Sequence, residues 1–408
     1  MTKAELAEID FRNKRVTLIG LGRRTNVHLA RFLVRQGARV RISEQRSADA
    51  LAEELALIRE LPVELTLGGH RESDVTDAEI VYVTPGVPRE LPILVAARER
   101  GIPISNEIEL LFARCPAPIV GITGSAGKTT TTTLTGLILS QGARRVFVGG
   151  NIGTPLIDRV DTIAPDDLVV LELSSFQLET IPQSAHIGAL LNVTPNHLDR
   201  HGTFENYRES KFNLLRYQGP ADIAILGADD PVAASLVDRC AAEVRWFSNQ
   251  TEVARGAFRR GDDLLVRDEG GEAVFAEVSA LRLPGDHNVR NVLAAAAISR
   301  AAGASVEQIA GVVTSFGGVE HRLEHLRELN GVSYYNDSIA TAPERTMAAL
   351  RSFSRPVILI AGGRSKHLPT DELAREIARH ARAVVTTGEM AEEIEEAVAG
   401  EPSARAVV

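Results

Sequence analysis

Short runs of aliphatic and β-branched residues alternate with helix-like segments along almost the whole chain, and this alternation strongly limits its fold. The run Arg15–Ile19 is followed by apolar residues at helical spacing from Asn26 to Gly37, and then by a second run at Val40–Ser43. Parallel strands need a crossover connection between them, which is usually a helix. We therefore predict an α/β protein built on parallel sheets.

The alternation falls into three successive sets, which is a reasonable number of domains for 408 residues. We place domain boundaries at residues 1–107, 108–317 and 318–408, with a small antiparallel excursion near residues 258–278. The last set is short for a doubly wound domain, and we expect it to be incomplete.

Charge and composition exclude several classes of protein. The chain has 45 Lys and Arg against 54 Asp and Glu, a net charge of −9, which argues against a general nucleic-acid binder. No apolar run approaches the ~20 residues that span a bilayer, and the first residues lack the apolar core of a signal peptide. Two distant cysteines cannot form a disulfide framework. We expect a cytoplasmic monomer that binds neither nucleic acid nor membrane.

A Gly-rich turn between a predicted strand and helix is the strongest chemical signal. Its small residues allow backbone N–H groups to surround phosphate oxygens at the start of a helix. Lys128 is placed to reach the β- and γ-phosphates, and the Thr129 hydroxyl to bind Mg²⁺. The spacing departs from the usual phosphate loop at Ile122, where glycine is expected, and a turn with a solvated lysine is the alternative. The turn comprises Gly124, Ser125, Ala126, Gly127, Lys128 and Thr129.

A second Gly-rich turn, Gly20–Gly22, follows the first predicted strand. A dinucleotide-binding turn would have a third glycine where Thr25 stands, but Glu44 follows the next strand, where an acid holds a ribose. Arg23 and Arg24 lie where a helix N-terminus would meet a diphosphate. A tight structural turn and a nucleotide site are both compatible with this pattern.

Two further polar residues follow buried strands, at the edge where α/β proteins bind ligands. Glu172 comes directly after an apolar run, where an unpaired carboxylate is costly, and His197 lies just past another strand. Both are candidates for magnesium chemistry. A helix-capping acid and a structural histidine are the alternatives, and His197 with Asp199 and His201 also suggests a transition-metal site, although no further soft ligands accompany them.

Taken in their order along the chain, the motifs resemble those of the Mur ligase family, and the resemblance extends over essentially the whole chain. The resemblance implies three domains: a Rossmann-like UDP-binding domain, a central phosphate-loop ATPase domain and a C-terminal Rossmann-like domain. It also implies ATP and Mg²⁺ as cofactors, and ATP-driven addition of glutamate to UDP-N-acetylmuramoyl-L-alanine in peptidoglycan precursor synthesis. The D enantiomer of glutamate is expected. The matching segments are Gly121–Thr130, Gly150–Gly153, Leu171–Glu179, Asn192–Asp199, His287–Asn291, His321–Arg322 and Asn336–Ser338.

The resemblance also assigns roles to individual residues. Lys128, Glu172, His197 and Lys211 are implied to be catalytic, and Thr129, Glu172, His197 and Lys211 to organise the metal, with Lys211 carbamylated. On its sequence alone, Lys211 is an ordinary solvated helix lysine. The implied ATP contacts are Gly124, Ser125, Ala126, Gly127, Lys128, Thr129, Thr130, Asn288, Asn291, Arg322 and Asp337. The implied contacts of the UDP-sugar substrate are Gly22, Arg23, Arg24, Thr25, Glu44, Gly86 and Asn151, with Lys366 in the C-terminal part of the site.

The sequence departs from the family at the amino-acid pocket. Ile339 stands where many members have a lysine that meets glutamate, and the family's last segment lies beyond Val408. We therefore expect this 408-residue form to bind Mg–ATP and the UDP-sugar but to use glutamate poorly. The alternatives are a related ATP-dependent ligase that uses L-glutamate and an NAD-dependent dehydrogenase built on Gly20–Gly22, which would leave Lys128 unexplained.

Overall fold

Two parallel sheets organise most of the computed structural model. The structure describes residues 3–283, 285–319, 323–340, 343–353, 355–364 and 369–401, apart from the side chain of Glu344. The chain divides into two compact units, Met1–Glu277 with Asn291–Val312, and Val278–Arg290 with Val313–Val408. The first unit contains both large sheets.

The N-terminal part of the first unit is a five-stranded sheet in which every neighbouring pair is parallel. The strand order is β3-β2-β1-β4-β5, so the loops after β1, β2, β3 and β4 meet at one edge. The strands are β1 (Arg15–Ile19), β2 (Arg39–Glu44), β3 (Val63–Leu67), β4 (Ile80–Val83) and β5 (Ile104–Ser105). The helices are α1 (Lys3–Glu8), α2 (Asn26–Arg35), α3 (Ala52–Ile58), α4 (Ser73–Thr76), α5 (Pro92–Glu99) and α6 (Glu107–Arg114).

The second sheet has nine strands in the order β14-β13-β12-β11-β10-β9-β6-β8-β7. It is parallel from β7 to β12 and ends in the antiparallel strands β13 and β14, which confirms the predicted excursion. The strands are β6 (Ile119–Thr123), β7 (Val146–Gly150), β8 (Leu168–Glu172), β9 (Ile187–Leu190), β10 (Ile223–Gly227), β11 (Glu243–Ser248), β12 (Gly256–Arg260), β13 (Asp263–Asp268) and β14 (Gly271–Glu277). The helices are α7 (Lys128–Leu139), α8 (Ser175–Leu178), α9 (Leu198–His201), α10 (Phe204–Arg216), α11 (Pro231–Ala234), α12 (Asp286–Ala301) and α13 (Val306–Val313).

The middle strands of the nine-stranded sheet are covered on both faces. All five residues of β6 and all five of β8 are buried, as expected for parallel strands that lie between two helical layers. Helix α7 approaches β7 closely at Gly136, where a Cβ atom would lie 2.6 Å from Cγ2 of Val148. This packing fixes the first turn of α7 at the end of β6, and that turn carries Lys128.

The second unit contains a smaller sheet and an antiparallel hairpin. Strands β17 and β18 pair in parallel, and Leu373, Ile377 and Ile394 from two helices pack in the core beside them. The strand Val332–Asn336 pairs with the strand before it, Glu324–Leu329, as an antiparallel hairpin. The elements are β15 (Glu324–Leu329), β16 (Val332–Asn336), α14 (Pro343–Leu350), β17 (Val357–Gly362), α15 (Asp371–His380), β18 (Ala381–Thr387) and α16 (Ala391–Ala399).

The predicted fold class, an α/β protein with parallel sheets, is confirmed. Within the described residues, no helix combines the length and the apolar character that crossing a bilayer requires.

Candidate functional site

The Gly-rich turn after β6 has the shape of a phosphate loop. Gly127 has φ of +82°, the left-handed conformation that favours glycine, and it directly precedes Lys128 at the start of α7. A Cβ atom on Gly127 would lie 2.3 Å from Oδ1 of Asn291, and one on Gly124 would lie 2.9 Å from Cβ of Leu191. The loop therefore requires glycine at both positions, and Asn291 lies against it.

Residues beyond β9 hold this loop in place. The amide of Ser125 donates to the carbonyl of Asn192 at 3.0 Å, and the amide of Ala126 donates to Oδ1 of Asn192 at 2.9 Å. Oγ of Ser125 lies 2.9 Å from the hydroxyl of Tyr207 and 3.0 Å from the carbonyl oxygen of Thr194. Anchoring from three sides makes the loop a rigid cradle, which is what preorganised binding of a charged group requires.

Two lysines share one backbone oxygen in this loop. Nζ of Lys128 donates to the carbonyl of Gly124 at 2.8 Å, and Nζ of Lys211, from α10, donates to the same oxygen at 2.9 Å. Lys211 is only 2% exposed. Its pKa lies well below the usual lysine value, because burial disfavours the charged form and the charge of Lys128 repels it, while Glu172 opposes the shift. The solvated lysine expected from the sequence alone is therefore wrong for Lys211.

Glu172, the last residue of β8, is 2% exposed, and only one of its two carboxylate oxygens has a hydrogen-bond partner. Its Oε1 accepts from Nδ2 of Asn151 at 2.8 Å, and its backbone oxygen accepts from the amide of Asn151 at 2.8 Å. Its Oε2 is buried without a hydrogen-bond partner. A buried carboxylate oxygen with no donor is costly, and a cation is the usual compensation. The helix-capping role considered for Glu172 does not occur, since Ser174 caps the helix that follows.

Thr129 and Thr130 occupy the second and third positions of α7. Thr129 is half-buried and Thr130 is buried. Their place in the first helical turn after the Gly-rich loop is the place at which a hydroxyl reaches a phosphate-bound Mg²⁺ in phosphate-loop proteins.

His197 is exposed and has φ of +52° at the start of α9. Its ring lies 5.2 Å from that of Phe176, which stacks on the ring of His201 at 5.0 Å. His201 is the buried structural histidine of this segment, with Nε2 3.0 Å from Oγ of Ser175. Across the part of the chain that the structure describes, no three or more His, Cys, Asp or Glu residues form a metal-binding group.

The loop after β1 is held by a buried acid. Glu44 accepts from the amide of Leu21 at 2.8 Å and from the amide of Arg46 at 3.0 Å, and the Arg46 guanidinium pairs with it at 3.0 Å. Burial alone would raise the pKa of Glu44, but these donors lower it overall. Both of its oxygens accept hydrogen bonds within the protein, so Glu44 holds the loop, and its contact with the substrate stays a prediction.

The other residues predicted to contact the UDP-sugar lie around this loop. Thr25 Oγ1 lies 3.5 Å from Thr84 Oγ1, which joins the loop after β1 to the loop after β4. A Cβ atom on Gly22 would lie 2.4 Å from Oγ1 of Thr25, and Gly86 has φ of +93°. Arg23 forms an exposed ion pair with Glu53 at 2.7 Å.

Arg24 connects the two sheet edges of the first unit. Its Nη1 lies 3.5 Å from the carbonyl oxygen of Asn151, the residue that also binds Glu172. The structure thus brings the loop after β1 next to the carboxylate at the end of β8. This contact joins the predicted substrate residues to the predicted metal residues.

The remaining predicted residues fall in the second unit or outside the described residues. Asn288 is buried near the start of α12, and its amide donates to the carbonyl of Gly285 at 2.9 Å. Oδ1 of Asp337 accepts from the amide of Leu323 at 3.0 Å, and Ile339 is partly exposed. Arg322 and Lys366 lie outside the described residues.

Two residues with clear structural roles in the site were not predicted individually. Asn192 binds the phosphate loop through both its side chain and its backbone, and Tyr207 binds Ser125 and places its ring 4.7 Å from Nζ of Lys211. The signals were present. Asn192 directly follows a buried strand, and Tyr207 lies four residues before Lys211, on the same face of α10.

Comparison with known families covers nearly the whole chain. Residues 14–106 match the MurD-like N-terminal domain of Mur ligases, residues 122–299 the Mur ligase middle domain, and residues 321–408 the glutamate ligase domain of Mur ligases.

Curated relatives and solved structures agree with this assignment. Proteins from Symbiobacterium thermophilum and Koribacter versatilis, each named UDP-N-acetylmuramoylalanine--D-glutamate ligase, are both 44% identical to this chain. The alignments span 94% of this chain and 85% of the first protein, and 96% and 86% for the second. The fold resembles that of UDP-N-acetylmuramate-alanine ligase from Thermotoga maritima, with a TM-score of 0.60 at 20% identity over 96% of this chain and 90% of that one. It also resembles MurF from Acinetobacter baumannii, with a TM-score of 0.57 at 17% identity over 97% and 84%. The chain belongs to the Mur ligase family.

Proposed function

We propose that this chain is an ATP-dependent ligase that joins D-glutamate to UDP-N-acetylmuramoyl-L-alanine, forming an amide bond. The relatives of 44% identity carry the name of this activity. The observation that carries the proposal is the arrangement at the end of β6, where Lys128 and Lys211 bind the same loop oxygen. The alternative, an NAD-dependent dehydrogenase, would leave these two lysines at the end of β6 without a role.

ATP would bind at the loop 124–127. The amides at the N-terminus of α7 and the charge of Lys128 would stabilise the negative charge that spreads over the transferring γ-phosphoryl group. Lys128 would leave the Gly124 carbonyl to do so. Thr130 and Asn291 lie beside this loop, and Asn288, Asp337 and Arg322 are proposed as further nucleotide contacts.

The residues around Glu172 suit a magnesium ion. The buried Oε2 of Glu172 needs a cation, and oxygen ligands are those that Mg²⁺ prefers. Glu172, Thr129, His197 and a carbamylated Lys211 would hold it. When bound, the ion would neutralise phosphate charge during transfer.

Lys211 is well suited to carbamylation. Burial and the charge of Lys128 lower the pKa of Lys211, which raises the fraction of neutral amine, and a neutral amine adds to CO₂ with loss of one proton. The product is an anion. It would remove the repulsion between Lys211 and Lys128 and would give the site a second carboxylate-like ligand beside Glu172.

The proposed reaction has two steps. The alanyl carboxylate attacks the γ-phosphorus of ATP, which breaks the bond to ADP and gives an acyl phosphate. The amine of glutamate then attacks the acyl carbon, and inorganic phosphate leaves as the amide forms and the amine loses a proton. Lys128 stays close to the phosphoryl group in both steps, which is the electrostatic stabilisation that such transfers need.

The UDP-sugar would lie along the edge of the five-stranded sheet. The loop with Gly22, Arg23, Arg24 and Thr25 precedes α2, whose N-terminus suits a diphosphate. Gly86 and Asn151 would face the sugar, and Glu44 would contact the substrate as well as shape the loop. Arg24 of this loop contacts Asn151, and Asn151 binds Glu172. A substrate bound along the loop would therefore have its alanyl carboxylate close to Glu172 and Lys128.

The domain boundaries 1–107, 108–317 and 318–408 are proposed for these three tasks: UDP-sugar binding, ATP binding, and closure over the site with Lys366. We further propose a cytoplasmic monomer, since both nucleotide substrates are charged, water-soluble molecules.

The test is phosphate release from ATP in the presence of Mg²⁺, UDP-N-acetylmuramoyl-L-alanine and each enantiomer of glutamate. Release that requires the UDP-sugar and D-glutamate is expected. Equal release with L-glutamate would assign the related L-glutamate activity, and release that ignores both substrates would contradict ligation.

A further inference from the structure

A polar cluster at the carboxyl ends of β2 and β3 has no role in the function proposed above. Oγ of Ser43 donates to Oδ2 of Asp74 at 2.7 Å and lies 2.9 Å from Nδ1 of His70. Ser43 is fully buried, Asp74 is 3% exposed and His70 is half-buried. The cluster is thus built into the sheet edge, with the histidine as its most accessible member.

The protons of this cluster can be assigned. Asp74 accepts hydrogen bonds from Ser43, from the Thr66 hydroxyl at 2.9 Å and from the amide of Arg71 at 3.0 Å. Three donors keep the carboxylate ionised, and the pKa of Asp74 is lowered overall although burial alone would raise it. Since the single Ser43 proton goes to Asp74, Nδ1 of His70 must carry a proton and donate it to Ser43.

This assignment fixes the other ring nitrogen. Burial lowers the pKa of His70, and the nearby charges of Glu44 and Asp74 only partly oppose this, so the ring is neutral at pH 7. A neutral ring with a proton on Nδ1 has an acceptor at Nε2. Within the described residues, no hydrogen bond to Nε2 of His70 is formed. The cluster therefore presents one oriented acceptor.

The acceptor lies on the edge that would receive the nucleotide. The amide of Gly69 donates to the carbonyl of Glu44 at 3.2 Å, and that of Gly68 donates to the carbonyl of Arg46 at 2.9 Å, so the His70 loop adjoins the segment after β2. In the sheet order, β2 and β3 lie on one side of β1. With a diphosphate at the N-terminus of α2, the nucleoside would extend over β2 and β3, as ligands do at the carboxyl ends of open α/β sheets.

We propose that Nε2 of His70 accepts a hydrogen bond from the nucleoside of the UDP-sugar substrate, either from the N3–H of the base or from a ribose hydroxyl. The proposal rests on the proposed function. Glu44 already accepts from the amides of Leu21 and Arg46, whereas Nε2 of His70 accepts no hydrogen bond from the described residues. Ser43 and Asp74 are positioning residues that hold the tautomer of His70.

The test is the affinity of the full chain for UDP, measured by titration calorimetry at pH 7.5. His70→Asn keeps a donor for Ser43 but loses the Nε2 acceptor, and should bind UDP about five- to tenfold more weakly. His70→Phe should lose a similar factor, and Ser43→Ala a smaller one. Thr66→Val is the matched control, because it removes a donor to Asp74 without touching the Ser43–His70 contact. It should bind UDP as the parent chain does.

Modified nucleotides identify the donor. If the N3–H of the base is the donor, N3-methyl-UDP should bind the parent chain as weakly as it binds His70→Asn. If a ribose hydroxyl is the donor, the UDP that lacks this hydroxyl should bind the two chains equally weakly. A parent chain that fails to bind UDP would contradict the proposed function. A parent chain that binds UDP, with His70→Asn and His70→Phe binding it equally well, would overturn this inference alone.

Discussion

The first unit contains two sheet edges of similar construction and different chemistry. In each, a Gly-rich loop joins the first strand of the parallel sheet to a helix, and an acid ends a neighbouring strand. The N-terminal edge is the carboxyl end of the five-stranded sheet, and there both oxygens of Glu44 accept from protein donors. The central edge is the carboxyl end of β6 and β8 in the nine-stranded sheet. There Glu172 has an oxygen without a donor, and Lys211 is buried beside another cation.

The difference indicates what each edge does. A fully bonded carboxylate stabilises a loop and gives a fixed surface for binding. A buried carboxylate oxygen without a donor and a buried lysine beside another cation cost free energy, and such costs are retained where ligands or charges arrive during a reaction. We infer that the N-terminal edge holds its substrate and that the central edge carries out the chemistry.

Removing the cation of the central edge should have the largest effect. Lys128→Ala is expected to lower the rate of phosphate release by about a thousandfold or more, because the lysine acts on charge that develops during phosphoryl transfer. The melting temperature should change little, since Lys128 is only partly buried, at the start of its helix. Substantial turnover in a folded variant would contradict the phosphate-loop assignment.

Removing Lys211 should have the next largest effect. Lys211→Ala is expected to lose about two orders of magnitude in rate, because a proposed metal ligand is lost, and to recover partly when a small carboxylate such as acetate is added. Activity of the parent chain should fall when CO₂ is removed from the buffer, and the variant should not respond. Rates that are unchanged in the variant would remove Lys211 from the site.

The contact between the two edges should have an intermediate effect. Asn151→Ala removes the only side-chain donor to Glu172 that the described residues show, and it is expected to lower kcat/KM about ten- to a hundredfold. The Mg²⁺ concentration needed for half-maximal rate should rise as well. An unaltered Mg²⁺ dependence would show that Glu172 is positioned without Asn151.

The N-terminal edge should show the smallest effect, and it should depend on pH. The pKa of Glu44 is lowered in the folded protein, so its stabilisation is complete above the unfolded value of 4.5 and is lost as pH falls through the lower folded value. The difference in melting temperature between the parent chain and Glu44→Gln should therefore be constant from pH 7 to 5 and shrink below about pH 4.5. A difference that stays the same down to pH 3.5 would show that the ionised carboxylate of Glu44 does not stabilise this edge.

Sequence periodicity predicted most of the first unit because its strands are buried between helices and bounded by glycines. The strand Arg15–Ile19 was predicted with its observed bounds, and the helical spacing that follows it corresponds to the helix Asn26–Arg35. The strand Val146–Gly150 was missed, since it is short, ends in two glycines and has a mixed burial pattern. The hairpin that pairs Val332–Asn336 was missed as well, because its partner strand Glu324–Leu329 is mostly charged and exposed.

For the site, the sequence indicated which residues matter better than how they act. The resemblance named Lys211, but its burial and lowered pKa depend on the packing of α10 against the loop, which has no local signal. The sequence placed Glu44 at the substrate edge but did not show its bonds to Leu21 and Arg46, which depend on the return of the loop after β1. Long-range hydrogen bonds of this kind are set by tertiary structure.

The division of roles between the two sheet edges is tested most directly by comparing Glu172→Gln with Glu44→Gln, in kcat at saturating substrates and in melting temperature. We predict that Glu172→Gln loses about a hundredfold or more in kcat while its melting temperature is unchanged or raised, since a buried unsatisfied charge is removed. Glu44→Gln should keep most of its kcat but melt at a lower temperature and bind UDP more weakly. The opposite pattern, with kcat lost in Glu44→Gln and stability lost in Glu172→Gln, would contradict the division of roles between the two edges.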